Sequence, residues 1–103
     1  MLLIEFYEVE PSNIPEVIKV LEDQKQVIKE INLSFLKDWK TYQCREDPNK
    51  FIEVWTMDKN SSLKELDEAF MAHPLGEKVA PRFMALIGKD SYRNLHYDKI
   101  IST

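Results

Sequence analysis

The sequence holds few of the residues that most readily betray chemistry. It has one cysteine, Cys44, which cannot form a disulfide within the chain and which fits a reducing compartment. Its two histidines, His73 and His96, lie about 23 residues apart and, with Cys44, give no structural-zinc spacing. Cys44 has no histidine near it in sequence and no nucleophile motif around it. Two glycines, Gly76 and Gly88, are spaced too far apart to make a phosphate loop. No apolar run approaches the roughly 20 residues that span a bilayer. Met1 to Ile4 lacks a basic flank and Glu5 cuts the apolar run, so no signal peptide is expected. Lys and Arg number 14 against 18 Asp and Glu, a formal charge of −4 without a basic stripe, which excludes a general nucleic-acid backbone binder. These absences predict a cytoplasmic protein with no metal, cofactor, nucleic-acid or membrane partner.

The residues that are present build a globular chain. With 103 residues, 44% of them hydrophobic and 31% charged, one domain over residues 1–103 is expected. Leu2 to Val9 reads as a first strand. Asn13 and Glu16 have capping-box spacing, and Pro15 suits a first helical turn. Val17, Val20, Leu21, Val27, Ile28 and Ile31 then recur at helical spacing, with Gln24 continuing the line, so a helix is expected over about 14–31. Phe35 to Arg45 and Phe51 to Met57 read as two strands joined at Asp47-Pro48-Asn49-Lys50, which fits a type I turn. Ser62 and Glu65 form a second capping box, and Ser61-Ser62 is a helix cap rather than a nucleophile elbow. Leu63, Leu66 and Phe70 form the stripe of a second helix. His73 precedes Pro74 and is pushed away from helical geometry, so the helix should break there. Val79, Phe83 and Leu86 resume the stripe, with Pro81 starting a second segment and Gly88 at its C-terminal end. Tyr92 to Ile100 supplies the last strand. The order β-α-β-β-α-β is the ferredoxin-like arrangement, an antiparallel sheet with its helices on one face.

Alternation sorts the strand residues into two sets. Ile52, Val54 and Thr56 are compact and β-branched, which suits the face under the helices. Glu53 and Trp55 then fall on the open face, together with Trp39, Thr41, Gln43, Glu5, Tyr7, Asn94 and His96. A second subunit is expected to cover this aromatic and polar face, enclosing a small-molecule pocket.

The element order, the F-I-E-V-W strand and the L-x-x-L-x-x-x-F-x-x-H helix resemble the antibiotic biosynthesis monooxygenase-like family. The resemblance implies dimeric α/β-barrel proteins of the cytoplasm whose two sheets close a shared barrel. Some such proteins oxidise polyphenols without a cofactor and some degrade haem. The haem-degrading members use an Asn on the first strand and a Trp and a His on the second helix. Here His73 matches that His, Leu63 stands where the Trp would be, and the first strand has no Asn, so haem degradation is not expected.

The candidate site residues follow. His73 titrates near neutral pH and suits a general base or metal ligand, at the rim of the pocket where the His-Pro break turns the helix end. Its commoner role, and the preferred one, is to end a helix segment and bond locally. Glu53 suits a proton acceptor tuned by burial beside Trp55, or a structural partner across the sheet. Trp55, Trp39 and Tyr7 would hold an aromatic ring, or simply bury area at an interface. Two functions stay open: a cofactor-free monooxygenase-like oxidoreductase acting on a small aromatic molecule, and a non-catalytic binding or structural homodimer.

Overall fold

The computed structural model describes residues 1–58 and 62–103, so Ser61, half of the expected Ser61-Ser62 cap, lies outside the described residues. Its strands are β1 (Leu2–Glu8), β2 (Leu36–Gln43), β3 (Lys50–Met57) and β4 (Arg93–Tyr97), and its α-helices are α1 (Ile14–Ile31), α2 (Leu63–Ala72) and α3 (Gly76–Leu86). The strands form one antiparallel sheet in the order β2-β3-β1-β4, the ferredoxin-like α+β fold. The turn between β2 and β3 closes through the Lys50 amide donating to the Asp47 carbonyl at 3.0 Å.

Helix α1 buries Val17, Val20, Leu21, Gln24 and Val27, the stripe its periodicity demands. The expected Asn13 cap is not made. Asn13 instead donates its Nδ2 to the Leu86 carbonyl at 3.2 Å, which ties the start of α1 to the end of α3. The far end of α1 closes on Asn32 in the left-handed region (φ 44°), where a short polar side chain is tolerated. The Ser62 cap does form, with Oγ accepting from the Glu65 amide at 3.2 Å.

The expected break falls at His73, which caps α2 in extended geometry. The second segment begins at Gly76, however, and Pro81 lies inside it rather than at its start. Gly76 allows α2 and α3 to meet: a Cβ there would fall 2.3 Å from the Phe70 carbonyl oxygen. Gly88 lies just past the Ile87 C-cap with φ −70°, so it uses no left-handed freedom. The outer strands β2 and β4 are shorter than expected, Leu36–Gln43 against Phe35–Arg45 and Arg93–Tyr97 against Tyr92–Ile100.

The two faces of the sheet carry the sets that alternation defined, but on opposite sides to those expected. Phe51, Glu53, Trp55 and Met57 are buried under the helices. Ile52, Val54 and Thr56 are half-buried on the face without helices. One core cluster joins Tyr7, Phe51 and Phe83 to the α1 valines, and a second joins Leu3, Trp55, Met57 and Leu66. The reversal has a physical cause. Helices lying across a sheet must fill the volume beneath them, and large rings fill it better than Val or Thr.

Candidate functional site

Helices α2 and α3 do not close fully on the sheet. Between them and the strands lies a cleft of about 460 Å³, within the range of small-molecule sites. Leu3, Trp55, Leu66, Phe70 and Phe83 supply its apolar wall, and Glu5, Glu53, Gln24, Tyr92 and Asn94 its polar floor. Asp67, Met71 and Met84 stand at the mouth, where Met71 is 61% exposed.

The floor is built around two carboxylates. Glu5 on β1 and Glu53 on β3 are direct cross-strand partners, so both side chains point under the helices side by side. Glu5 accepts from the Trp55 indole at 2.5 Å through Oε1, and from the Tyr92 hydroxyl through Oε2. Glu53 accepts two bonds on Oε1, from Gln24 at 2.7 Å and from the Trp39 indole at 2.9 Å. The Tyr7 hydroxyl also faces this carboxylate. Glu53 is only 2% exposed, and burial first, then the Glu5 charge, push its carboxyl up to about 7. Burial is also the chief cause that raises Glu5, against the downward pull of Tyr92 and Trp55. Burial thus favours the protonated form of each acid, most for the more buried Glu53.

The five expected residues separate into three groups. Glu53 and Trp55 line the cleft. Trp39 and Tyr7 support it from behind. Trp39 lies 6.0 Å from Trp55 between ring centroids and fixes Glu53, while Tyr7 stacks on Phe51 and meets Phe83 edge-on. The buried Tyr7 hydroxyl faces the Glu53 carboxylate but falls short of hydrogen-bond geometry, with no other partner among the described residues. His73 lies outside the cleft wall. Its Nδ1 accepts from the Leu75 and Gly76 amides at 3.1 and 3.2 Å, and its Nε2 faces Glu30 at 3.3 Å. The ring therefore caps the start of α3 and ties it to α1. His96 is exposed on β4.

Sequence reasoning gave no site role to Glu5, Gln24, Tyr92, Asn94 or Asp67. Three of them had left a signal. Gln24 interrupts an apolar helical stripe with an amide, and a buried amide needs a polar partner. Glu5 shares the alternation of Tyr7, and only the β1–β3 register sets it opposite Glu53. Alternation places Asn94 with Glu5 on the pocket face, whereas Tyr92 and Asp67 carry no such mark. Among the described residues no group of three or more His, Cys, Asp or Glu gathers to hold a metal. No described helix is long and apolar enough to cross a membrane.

No protein-family model matches the chain, and no curated protein matches it either. Solved structures do match. An antibiotic biosynthesis monooxygenase superposes with TM-score 0.65 at 14% identity, over 98% of this chain and 100% of its own. SnoaB, a cofactor-independent oxygenase from Streptomyces nogalater, gives TM-score 0.71 at 11% identity, over 98% and 93%. A dimeric ferredoxin-like protein of unknown function from a Jannaschia species gives 0.65 at 13%, over 96% and 100%. The resemblance seen in the sequence thus holds in three dimensions, and this chain has the fold of the antibiotic biosynthesis monooxygenase-like proteins.

Proposed function

We propose that the cleft binds a small aromatic molecule and sets one of its hydroxyl groups against the Glu5–Glu53 pair. The protein would then act as a cofactor-free, monooxygenase-like oxidoreductase. The observation that carries this reading is the pair itself: a buried and a half-buried carboxylate side by side, both raised, on the floor of an aromatic cleft. A carboxylate poised near neutral pH is a fitting general base. Glu53 is the acceptor, raised toward neutral pH at the floor of the cleft. Trp55, Phe70 and Phe83 sandwich the ring, and Trp39 and Gln24 orient Glu53. His73 has a capping role and stays out of the chemistry.

Deprotonation makes a polyphenol electron-rich enough to react with oxygen directly, and a dry cleft protects the resulting anion. A dihydroxy-arene and O2 give a hydroxyquinone and water, so the ring supplies every electron. The working unit is a cytoplasmic homodimer. Support comes from the half-buried Ile4, Ile52 and Val54 on the face without helices, and from the dimeric protein of the same fold. The partner would cover that face rather than the cleft.

Quenching of tryptophan fluorescence by simple polyphenols tests binding, and an oxygen electrode tests turnover. The reading predicts one O2 consumed per substrate and a rate lowered about 10²–10⁴-fold in Glu53→Gln. A second reading, a non-catalytic binding dimer, draws on the four donors already satisfying the carboxylates. Ligand binding with no oxygen uptake would favour it.

A further inference from the structure

The charge lining the cleft has one sign. Glu5, Glu53 and Asp67 contribute carboxyl groups, and no Lys, Arg or His lines the wall among the described residues. The nearest cations are engaged elsewhere: Arg82 on α3 holds Asp23 of α1 at 2.6 Å, and Lys64 on α2 faces Glu68 at 3.9 Å. The amino end of α3, at Gly76 in the wall, is the one feature that would attract an anion. That end is already filled, because His73 Nδ1 accepts from the Leu75 and Gly76 amides. An anionic ligand would meet three acids and no donor of opposite charge.

A cationic ligand meets the reverse. Trp55, Phe70, Phe83 and Tyr92 present ring surfaces to the cleft, and ring faces attract cations. Beneath them, Glu53 is 2% exposed and lines the cleft, its carboxylate oriented through Oε1 by Gln24 and Trp39. Asp67 stands exposed at the mouth and adds attraction at the point of entry.

We infer that the ligand of this cleft is an arylalkylamine in its protonated form, its ring against Trp55 and Phe83 and its ammonium group on the Glu5–Glu53 pair. This inference rests on the cleft being the ligand site; it seats an ammonium rather than a hydroxyl on the Glu5–Glu53 pair, and so stands as an alternative to the base role given to Glu53 above. The groups facing the pair are Trp55, Tyr7, Trp39, Gln24, Tyr92 and, at the mouth, Asp67, none of them cationic. An arriving ammonium must therefore displace the proton that burial favours on Glu53. Binding then releases a proton and strengthens as pH rises from about 6 to about 8, well below the pKa of an aliphatic amine.

Three probes share one ring and differ in charge: tyramine, para-ethylphenol and para-hydroxyphenylpropionate. Titration calorimetry of the intact protein, in buffers of different ionisation enthalpy, gives affinity and proton release together. The expected order is cation, then neutral phenol, then anion. Tyramine should bind about tenfold tighter than the phenol, equivalent to about 1.4 kcal/mol, with proton release on binding. Glu53→Gln should remove the proton release. Asp67→Asn, at an exposed position that does not threaten folding, should weaken tyramine about two- to fivefold and leave para-ethylphenol unchanged. Phenol or anion binding as tightly as tyramine overturns the inference and leaves the aromatic cleft standing. Tyramine binding that neither variant alters also overturns it. If none of the three binds at millimolar concentration, the cleft reading falls and the inference falls with it.

Discussion

The two faces of the sheet use similar numbers of large side chains to different ends. Under the helices, two hydrogen-bonded units lie side by side, Glu5 with Trp55 and Glu53 with Trp39 and Gln24. On the other face, Ile4, Ile52 and Val54 are half-buried, while Tyr42, Leu95 and Tyr97 remain 43–50% exposed. Arg93 covers the Phe6 ring there, 4.8 Å from its centroid. One face is specified by polar geometry and the other by apolar area. A face of the first kind suits a site, and a face of the second kind suits a partner.

Ring removal gives the sharpest contrast between them. Trp55→Ala should cost about 3–5 kcal/mol, because it empties core volume and strips Glu5 of a donor. Tyr97→Ala should cost under about 1 kcal/mol in an isolated protomer, since the residue is 45% exposed. Chemical denaturation measures both, and a concentration-dependent loss in Tyr97→Ala would mark that face as the dimer contact. Equal costs would erase the distinction. Light scattering adds the mass, expected at about twice the 12.2 kDa chain.

Smaller effects test how the cleft is held open. Gly76→Ala places a Cβ against the Phe70 carbonyl and should destabilise by about 1–3 kcal/mol. His73→Ala removes the cap of α3 and should cost about 0.5–2 kcal/mol, with ligand affinity at the cleft little changed. Loss of binding in a His73→Ala protein of unaltered stability would return His73 to the site.

The sequence carried the fold almost whole. Capping residues, helical stripes and the Asp47-Pro48 turn were local signals, and each element formed close to its expected place. Alternation also grouped Glu5, Glu53, Trp39 and Trp55 correctly. It did not say which side the helices would cover, because period two defines two sets without naming either as inner. The site suffered for the same reason. The Glu5–Glu53 pair exists only through the β1–β3 register, and the cleft only through the angle at which α2 and α3 leave the sheet. Neither is a property of neighbouring residues. His73 was legible as a helix break, and its imidazole is occupied by that task.

The raised Glu53 carboxyl also shapes stability. Glu53 is raised in the fold, so folding favours its protonated form. That contribution is full below the unfolded value near 4.5 and is lost as pH rises through about 7. Melting temperature should fall across this window in the native protein, and the fall should shrink in Glu53→Gln. A slope that the substitution leaves unchanged would place its source elsewhere.

The central claim is that Glu5 and Glu53 form a pair poised for proton transfer near neutral pH. Carbon NMR of the glutamate side-chain carboxyls, followed from acid to neutral pH, reads it directly. The account predicts one glutamate carboxyl titrating near pH 7, coupled to a second raised one, with the near-neutral transition absent in Glu53→Gln. Titration of every glutamate within about one unit of the ordinary value of about 4.3 would contradict it.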